Sequence, residues 1–327
     1  MKKKLLQALI ALVLVALMAY LGRKYYDQLP RLLEVTWPML LLITALFMLM
    51  RVFMGEVYRE ALRALDIRIG HYEAFMLAMI VSMTNLLLPR MGMGAPALYL
   101  KARHRVPIAD FVALLLPTTV LQVACLGIIG LLCQGYLWRF AGLAWDWRLA
   151  TALGGMTLVS LLCLLEPMHV PERWHGRLAE FLRRFLRSWS ILRASPRLVL
   201  YILLLQAAVL VTQALRLWAC FWALGQPVSL PAVTLASFLG QIGSLIGYTP
   251  GGLGFREGGI GLGAAMMGVD VDTAVSAGLL DRAVMTVAVV VLGQIGAWQF
   301  IRPVMAGQWA APPPPASTPA ARQDRQP

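Results

Sequence analysis

Apolar residues dominate the chain in long runs, at residues 5–21, 35–54, 74–88, 111–133, 149–165, 198–224, 230–248 and 273–301, with short polar or basic stretches between them. An apolar run of about 17 to 25 residues is long enough to cross a hydrocarbon core as a helix. No dyad alternation of apolar and polar positions marks the strands of a barrel. The pattern predicts an all-α polytopic integral membrane protein. Residues 259–269 form a further short, glycine-rich apolar piece. Between the second and third runs, residues 55–73 carry mixed charge at helical spacing, with Leu62, Leu65 and Ile69 on one side. That arrangement predicts an amphipathic helix lying in the membrane interface.

The positions of the basic residues change this simple picture. If every run crosses and Lys2, Lys3 and Lys4 lie in the cytoplasm, the stretch 167–196 falls outside. Yet it holds Arg173, Arg177, Arg183, Arg184, Arg187 and Arg193, and so basic a loop belongs on the cytoplasmic side. The conflict is removed if the short third run, which leads into LLLPRMGMGAP, dips into the membrane and returns. Lys101, Arg103 and Arg105 then stay cytoplasmic as well. The segment from residue 230 through YTPGGLG to 269 is then expected to enter from the opposite face. About six spanning helices plus two oppositely oriented re-entrant segments result, with both termini cytoplasmic. Two Pro/Gly-broken segments of opposite orientation are the pattern of an inverted repeat whose site lies near the midplane. LLLPRMGMG and GYTPGGLGF share a proline followed by spaced glycines.

Composition agrees and narrows the function. Of 327 residues 59% are hydrophobic and 14% charged, and the mean hydropathy is +0.71, outside the range of soluble domains. The net charge of +13 is not arranged as a basic stripe with aromatics, so nucleic acid is not an expected partner. Cys125, Cys133, Cys163 and Cys220 lie within apolar runs, and the four histidines lack metal-ligand spacing. No metal, cofactor or catalytic constellation is expected, and no nucleotide-binding loop points to ATP. The Pro-rich stretch 303–327 reads as a disordered tail. The run at 5–21 lacks a signal-peptide cleavage site and reads as an uncleaved helix.

Candidate chemistry concentrates in YTPGGLGFREG, residues 248–258. Pro250 ends the preceding helix, and Gly251, Gly252 and Gly254 let the chain turn sharply. A helix beginning near Phe255 would present free N–H groups and a positive dipole end to the membrane middle. Arg256 and Glu257 lie at that end, and Asp281 and Arg282 lie deep in the last apolar run. Each charge at a helix centre costs about 2.5–3.5 kcal/mol unless paired or wetted, so the four imply a shared polar interior. Arg256 with Asp281 and Glu257 with Arg282 are the expected pairs. They are either a structural network or a site in which an arginine holds an anionic headgroup. In the first half Pro89, Arg90 and Gly94 mark the corresponding turn, and Lys101 follows. Asn85, Gln122, Gln206, Gln213, Arg216, Gln241 and Ser244 read as helix-to-helix polar contacts.

The second motif, PGGLGFREG followed by an apolar helix and LLDR, resembles that of the lysylphosphatidylglycerol synthase transmembrane-region family, also called flippase-like or UPF0104 proteins. LLLPRMGMGAPALYLK looks like that family's first Pro-Gly segment. The resemblance runs to about residue 302 and implies a flippase-like domain over 1–302 that moves lipids between leaflets of the bacterial inner membrane. By position it marks Pro250, Gly251, Gly252, Gly254, Arg256, Glu257 and Arg282 in the second half, and Pro89, Gly94, Tyr99 and Lys101 in the first. The family's soluble synthetase has no counterpart in residues 1–327, so synthesis of a lysyl-lipid is not expected of them. The chain also departs from the family in having LLLPTTVLQV where many relatives carry an arginine. The expectation is a non-enzymatic translocase of an anionic lipid, a phospholipid or polyprenyl phosphate. Arg256, Arg282, Arg90 and Lys101 would face the headgroup, with Glu257 and Asp281 tuning the charge. The alternative is a membrane scaffold that holds a lipid synthase or glycosyltransferase through the basic loop.

Overall fold

A computed structural model describes residues 35–87, 92–165, 176–246, 252 and 254–307. The elements are α1 (Trp37–Arg63), α2 (His71–Leu87), α3 (Gly94–His104), α4 (Ile108–Phe140), α5 (Trp147–Leu165), α6 (Arg177–Arg193), α7 (Pro196–Ala223), α8 (Leu230–Ile246), α9 (Phe255–Met266) and α10 (Val271–Gly296). The last continues through a π-turn, Ala297–Ile301, into α11 (Arg302–Met305). Prolines help to set the starts of α1 and α7, where a missing N–H costs nothing.

The chain is an all-α polytopic membrane protein. Four helices among the described residues are long and apolar enough to span: Trp37–Arg63, Ile108–Phe140, Pro196–Ala223 and Val271–Met305. The 19 residues of α5 are apolar and extend about 28 Å at 1.5 Å per residue. The expected helix at 5–21 lies outside the described residues.

The short helices behave differently. With 11 residues in α3 and 12 in α9, each is about 16 to 18 Å long, roughly half a hydrocarbon core. Each packs on the helix before it, α3 on α2 and α9 on α8, so each pair forms a hairpin. The ends of the first hairpin share a cavity with Arg184 and Ile191 of α6. The ends of the second cluster with Val35, Leu224 and Val228 at the opposite end of the bundle. The two hairpins therefore enter from opposite ends.

The packing is symmetric under exchange of the halves. If α1, α2, α3 and α4 are exchanged with α7, α8, α9 and α10, each contact finds a counterpart. α2 against α10 matches α8 against α4, α1 against α4 matches α7 against α10, and α1 packs on α7 across the centre. Both α2 and α8 have 17 residues. This is the inverted repeat that the charge distribution predicts.

Two expectations are corrected. Residues 55–73 are not a separate interfacial helix: α1 runs unbroken to Arg63, then the chain turns and α2 begins at His71. Val57, Tyr58, Glu60, Ala61 and Leu62 are buried. Gly55 is the reason the charged turns can sit inside, because a Cβ there would lie 2.9 Å from the backbone of Ala74 and Phe75. The bundle, not the membrane surface, covers this apolar face. Nor is 167–196 simply a loop, since 177–193 form α6. Trp189 and Leu192 are buried, and the Trp189 indole donates to the Cys163 carbonyl at 2.7 Å. Arg184 pairs with Asp110 at 2.9 Å and Glu180 at 2.7 Å, which holds the Glu180 carboxyl below the usual carboxylate range. Arg183 and Arg187 face outward. Of the tail expected at 303–327, residues to Met305 are helical and residues 308–327 lie outside the described set.

Candidate functional site

The second hairpin is held by backbone contact. A Cβ on Gly243 would lie 2.3 Å from the Phe255 carbonyl oxygen, one on Gly259 2.4 Å from that of Leu239, and one on Gly263 2.6 Å from the Ala236 Cα. The glycine repeat in REGGIGLG thus serves close approach, as small residues do between membrane helices. At the turn Gly252 and Gly254 adopt φ of +70° and +81°, where a Cβ is strained. The helix expected near Phe255 starts there. Pro250 and Gly251 lie outside the described residues.

The first hairpin is closed by polar groups instead. Tyr99 donates to Glu73 Oε1 at 2.6 Å, and His104 Nε2 lies 2.7 Å from the same oxygen. The Gly92 amide donates to Asn85 Oδ1 at 2.8 Å. Gly94, expected as a turn residue, opens α3 with no positive φ and open space around its Cβ position. Gly92 makes the close contact. Pro89 and Arg90 lie outside the described residues.

Arg256 and Glu257 open α9 and face α10, which carries Asp281 and Arg282. Asp281, fully buried, accepts from Arg256 Nη2 through one oxygen, Oδ2. Glu257 uses both oxygens, taking the Gly254 amide on Oε2 at 2.9 Å and Arg282 Nε on Oε1 at 2.6 Å. The sequence-expected pairs are both present. The N-terminus of α9, expected to await an anion, is already partly met by this carboxylate.

Two further arginines complete the cluster. Arg216 of α7, 2% exposed, binds both Asp281 oxygens, with Nη2 3.1 Å from Oδ2. Its guanidinium lies 5.3 Å from the Phe47 ring centre, and that of Arg51 lies 5.0 Å from the same ring. Arg51 is electrostatically coupled to Arg216, Arg256 and Asp281. Among the described residues four guanidinium groups face two carboxylates, an excess of two positive charges. Arg51 Nε and Arg256 Nη1 are buried and find no hydrogen-bond partner among the described residues.

At 1.5 Å per residue these four helices place Arg51, Arg216, Arg256 and Asp281 about 10 to 21 Å along from their ends at the same side of the bundle, near mid-depth. An uncompensated charge there costs about 2.5–3.5 kcal/mol. Beside the cluster lies an apolar layer of Phe47, Met50 and Met79 with Met83, Leu86 and Met285 against it. Met83 and Leu86 come from the inner end of α2, so both hairpins reach the same central region. Methionine fills such layers adaptably.

Among the described residues, α4 carries no charge matching those of α10. Where α10 carries Asp281 and Arg282, α4 carries Pro117 and Thr118, and the Thr118 carbonyl accepts from Gln206 at 3.2 Å. Lys101 is exposed on α3, which packs on α2, α4 and the last turns of the chain, so it is not brought into the cluster. Arg51 is the residue that motif reading missed, while Arg216 makes the helix-to-helix polar contact expected of it, with a partner that the sequence did not name. The signal of both arginines is a lone charge inside an apolar run, FMLMRVFM and QALRLWAC. No group of metal-ligating side chains occurs among the described residues.

Residues 4–293 match the family model described as the lysylphosphatidylglycerol synthase TM region. Neither the curated proteins nor the solved structures contain a match to this chain.

Proposed function

We propose, from the premise that this chain belongs to the lysylphosphatidylglycerol synthase transmembrane-region family, that it moves an anionic lipid between the leaflets of the bacterial inner membrane. The carrying observation is the excess positive charge buried at mid-depth where two oppositely entering hairpins meet. Ionisable groups in such a place are a functional site by default. Arg216 and Asp281 brace α7 against α10, and Glu257 and Arg282 brace α9 against it. Arg256, with a spare Nη1, is the arm that takes the headgroup phosphate, and Arg51 faces it from α1. The acyl chains would lie against the methionine-rich layer. Nothing in this scheme requires catalysis or nucleotide hydrolysis.

Orientation follows from charge. Arg59, Arg63, Arg105, Arg184 and Arg187 cluster around two cavities at one end of the bundle, which supports a cytoplasmic position for that end under the positive-inside rule. The first hairpin then opens to the cytoplasm and the second to the periplasm. Purified protein in vesicles is expected to carry a fluorescent phosphatidylglycerol from the inner leaflet to the outer without ATP. Equal rates in protein-bearing and protein-free vesicles would overturn the proposal.

A second reading rests on α6, whose exposed Arg183 and Arg187 offer a basic face at that end of the bundle. Under it the protein anchors a lipid synthase or glycosyltransferase. Stable co-purification of such an enzyme, lost on reversing both charges and combined with no lipid movement, would favour it.

A further inference from the structure

Resting on the proposed lipid-moving role, we infer that the cluster selects a phosphomonoester, a phosphate bearing two negative charges, over a phosphodiester bearing one. Charge and geometry both lead there. Asp281 is shared by Arg216 and Arg256, and Glu257 is taken by Arg282, so among the described residues the four guanidinium charges exceed the carboxylates by two. Two of the buried donors without a partner among the described residues, Arg51 Nε and Arg256 Nη1, belong to different helices, α1 and α9. A terminal phosphate offers three unesterified oxygens, enough to accept from two arginines at once, whereas a diester offers two and half the charge. Arg51 stands outside the Pro-Gly motif, so the preference would be set by α1 and not by the second hairpin alone.

The ligand itself supplies a test, because the second ionisation of a phosphomonoester falls near pH 6 while a diester stays singly charged. Tyr58 and Cys220 also couple to the cluster, and their ordinary ionisations lie above about pH 8. A window between about pH 5 and 7.5 therefore reads the ligand's charge. The experiment reconstitutes the full chain in phosphatidylcholine vesicles and follows fluorescent phosphatidic acid and phosphatidylglycerol in parallel.

At pH 7.5 phosphatidic acid is expected to move at least about tenfold faster than phosphatidylglycerol, shrinking to near parity at pH 5. Arg51→Gln is expected to erase the preference at pH 7.5, slowing phosphatidic acid by a much larger factor than it slows phosphatidylglycerol. The wild-type pH comparison stands even if that variant does not fold. Millimolar inorganic phosphate distinguishes the source of the group: inhibition assigns the site to the phosphate alone, and no inhibition with the preference intact assigns it to the lipid. Equal rates for the two lipids at pH 7.5 would overturn the inference and leave the proposed function standing. Movement of neither lipid would overturn the proposed function itself.

Discussion

Asp281→Asn is expected to destabilise the protein by about 3–5 kcal/mol, the cost of removing one partner from a buried ion pair. Asp281 is fully buried and accepts from both Arg216 and Arg256. Its loss leaves four buried guanidiniums facing the single carboxylate of Glu257. The effect is read as a lowered unfolding midpoint in detergent micelles. Combining Asp281→Asn with Arg216→Met is expected to recover part of it, because the second change removes a charge the first has stranded. A single variant that melts with the wild type would show that the cluster carries no strong electrostatic load.

Gly243→Leu and Gly259→Leu are expected to open the second hairpin. Each added side chain would be driven into carbonyl oxygen at 2.3 to 2.4 Å from its Cβ, and backbone cannot step aside as a side-chain tip does. Overpacking costs about 1–3 kcal/mol in ordinary cores, and rigid backbone puts these variants at or above the upper end. Gly258→Ala is the internal control. That glycine lies on the same helix with nothing near its Cβ position and no positive φ, so it is expected to be neutral or slightly stabilising. Equal melting of all three would contradict the close packing of α8 and α9.

The hairpins were legible in the sequence because each element carries its own mark. Residues 74–88 are too short to cross comfortably and end in Pro89, and the arginines of 167–196 force a parity that continuous crossings cannot satisfy. The pairs Arg256 with Asp281 and Glu257 with Arg282 were legible too, since charges in apolar runs must find each other. Arg216 was legible as a helix-to-helix polar contact, but its pairing with Asp281 and the place of Arg51 were not, because which helices adjoin α10 and α9 is a property of the packing and not of any local spacing. Residues 55–73 misled for a related reason. Charged turns at helical spacing look the same on a membrane surface as at the end of a long spanning helix, and only Gly55 against Ala74 tells them apart. Gly94 shares a motif with Gly254 but not its backbone, as the first hairpin is closed by Glu73, Tyr99 and His104 instead.

The central claim is that Arg256 binds headgroup and does not merely brace the bundle. In Arg256→Gln the bidentate Arg216–Asp281 contact remains, so the variant is expected to fold. The decisive measurement is the rate at which inner-leaflet fluorescent phosphatidylglycerol becomes reachable by a membrane-impermeant quencher, compared between wild type and this variant at equal folded protein. Loss of a charge-assisted hydrogen bond of about 1.5–3 kcal/mol predicts a fall of at least about tenfold with little change in melting temperature. Equal rates with an unchanged melting temperature would contradict the assignment.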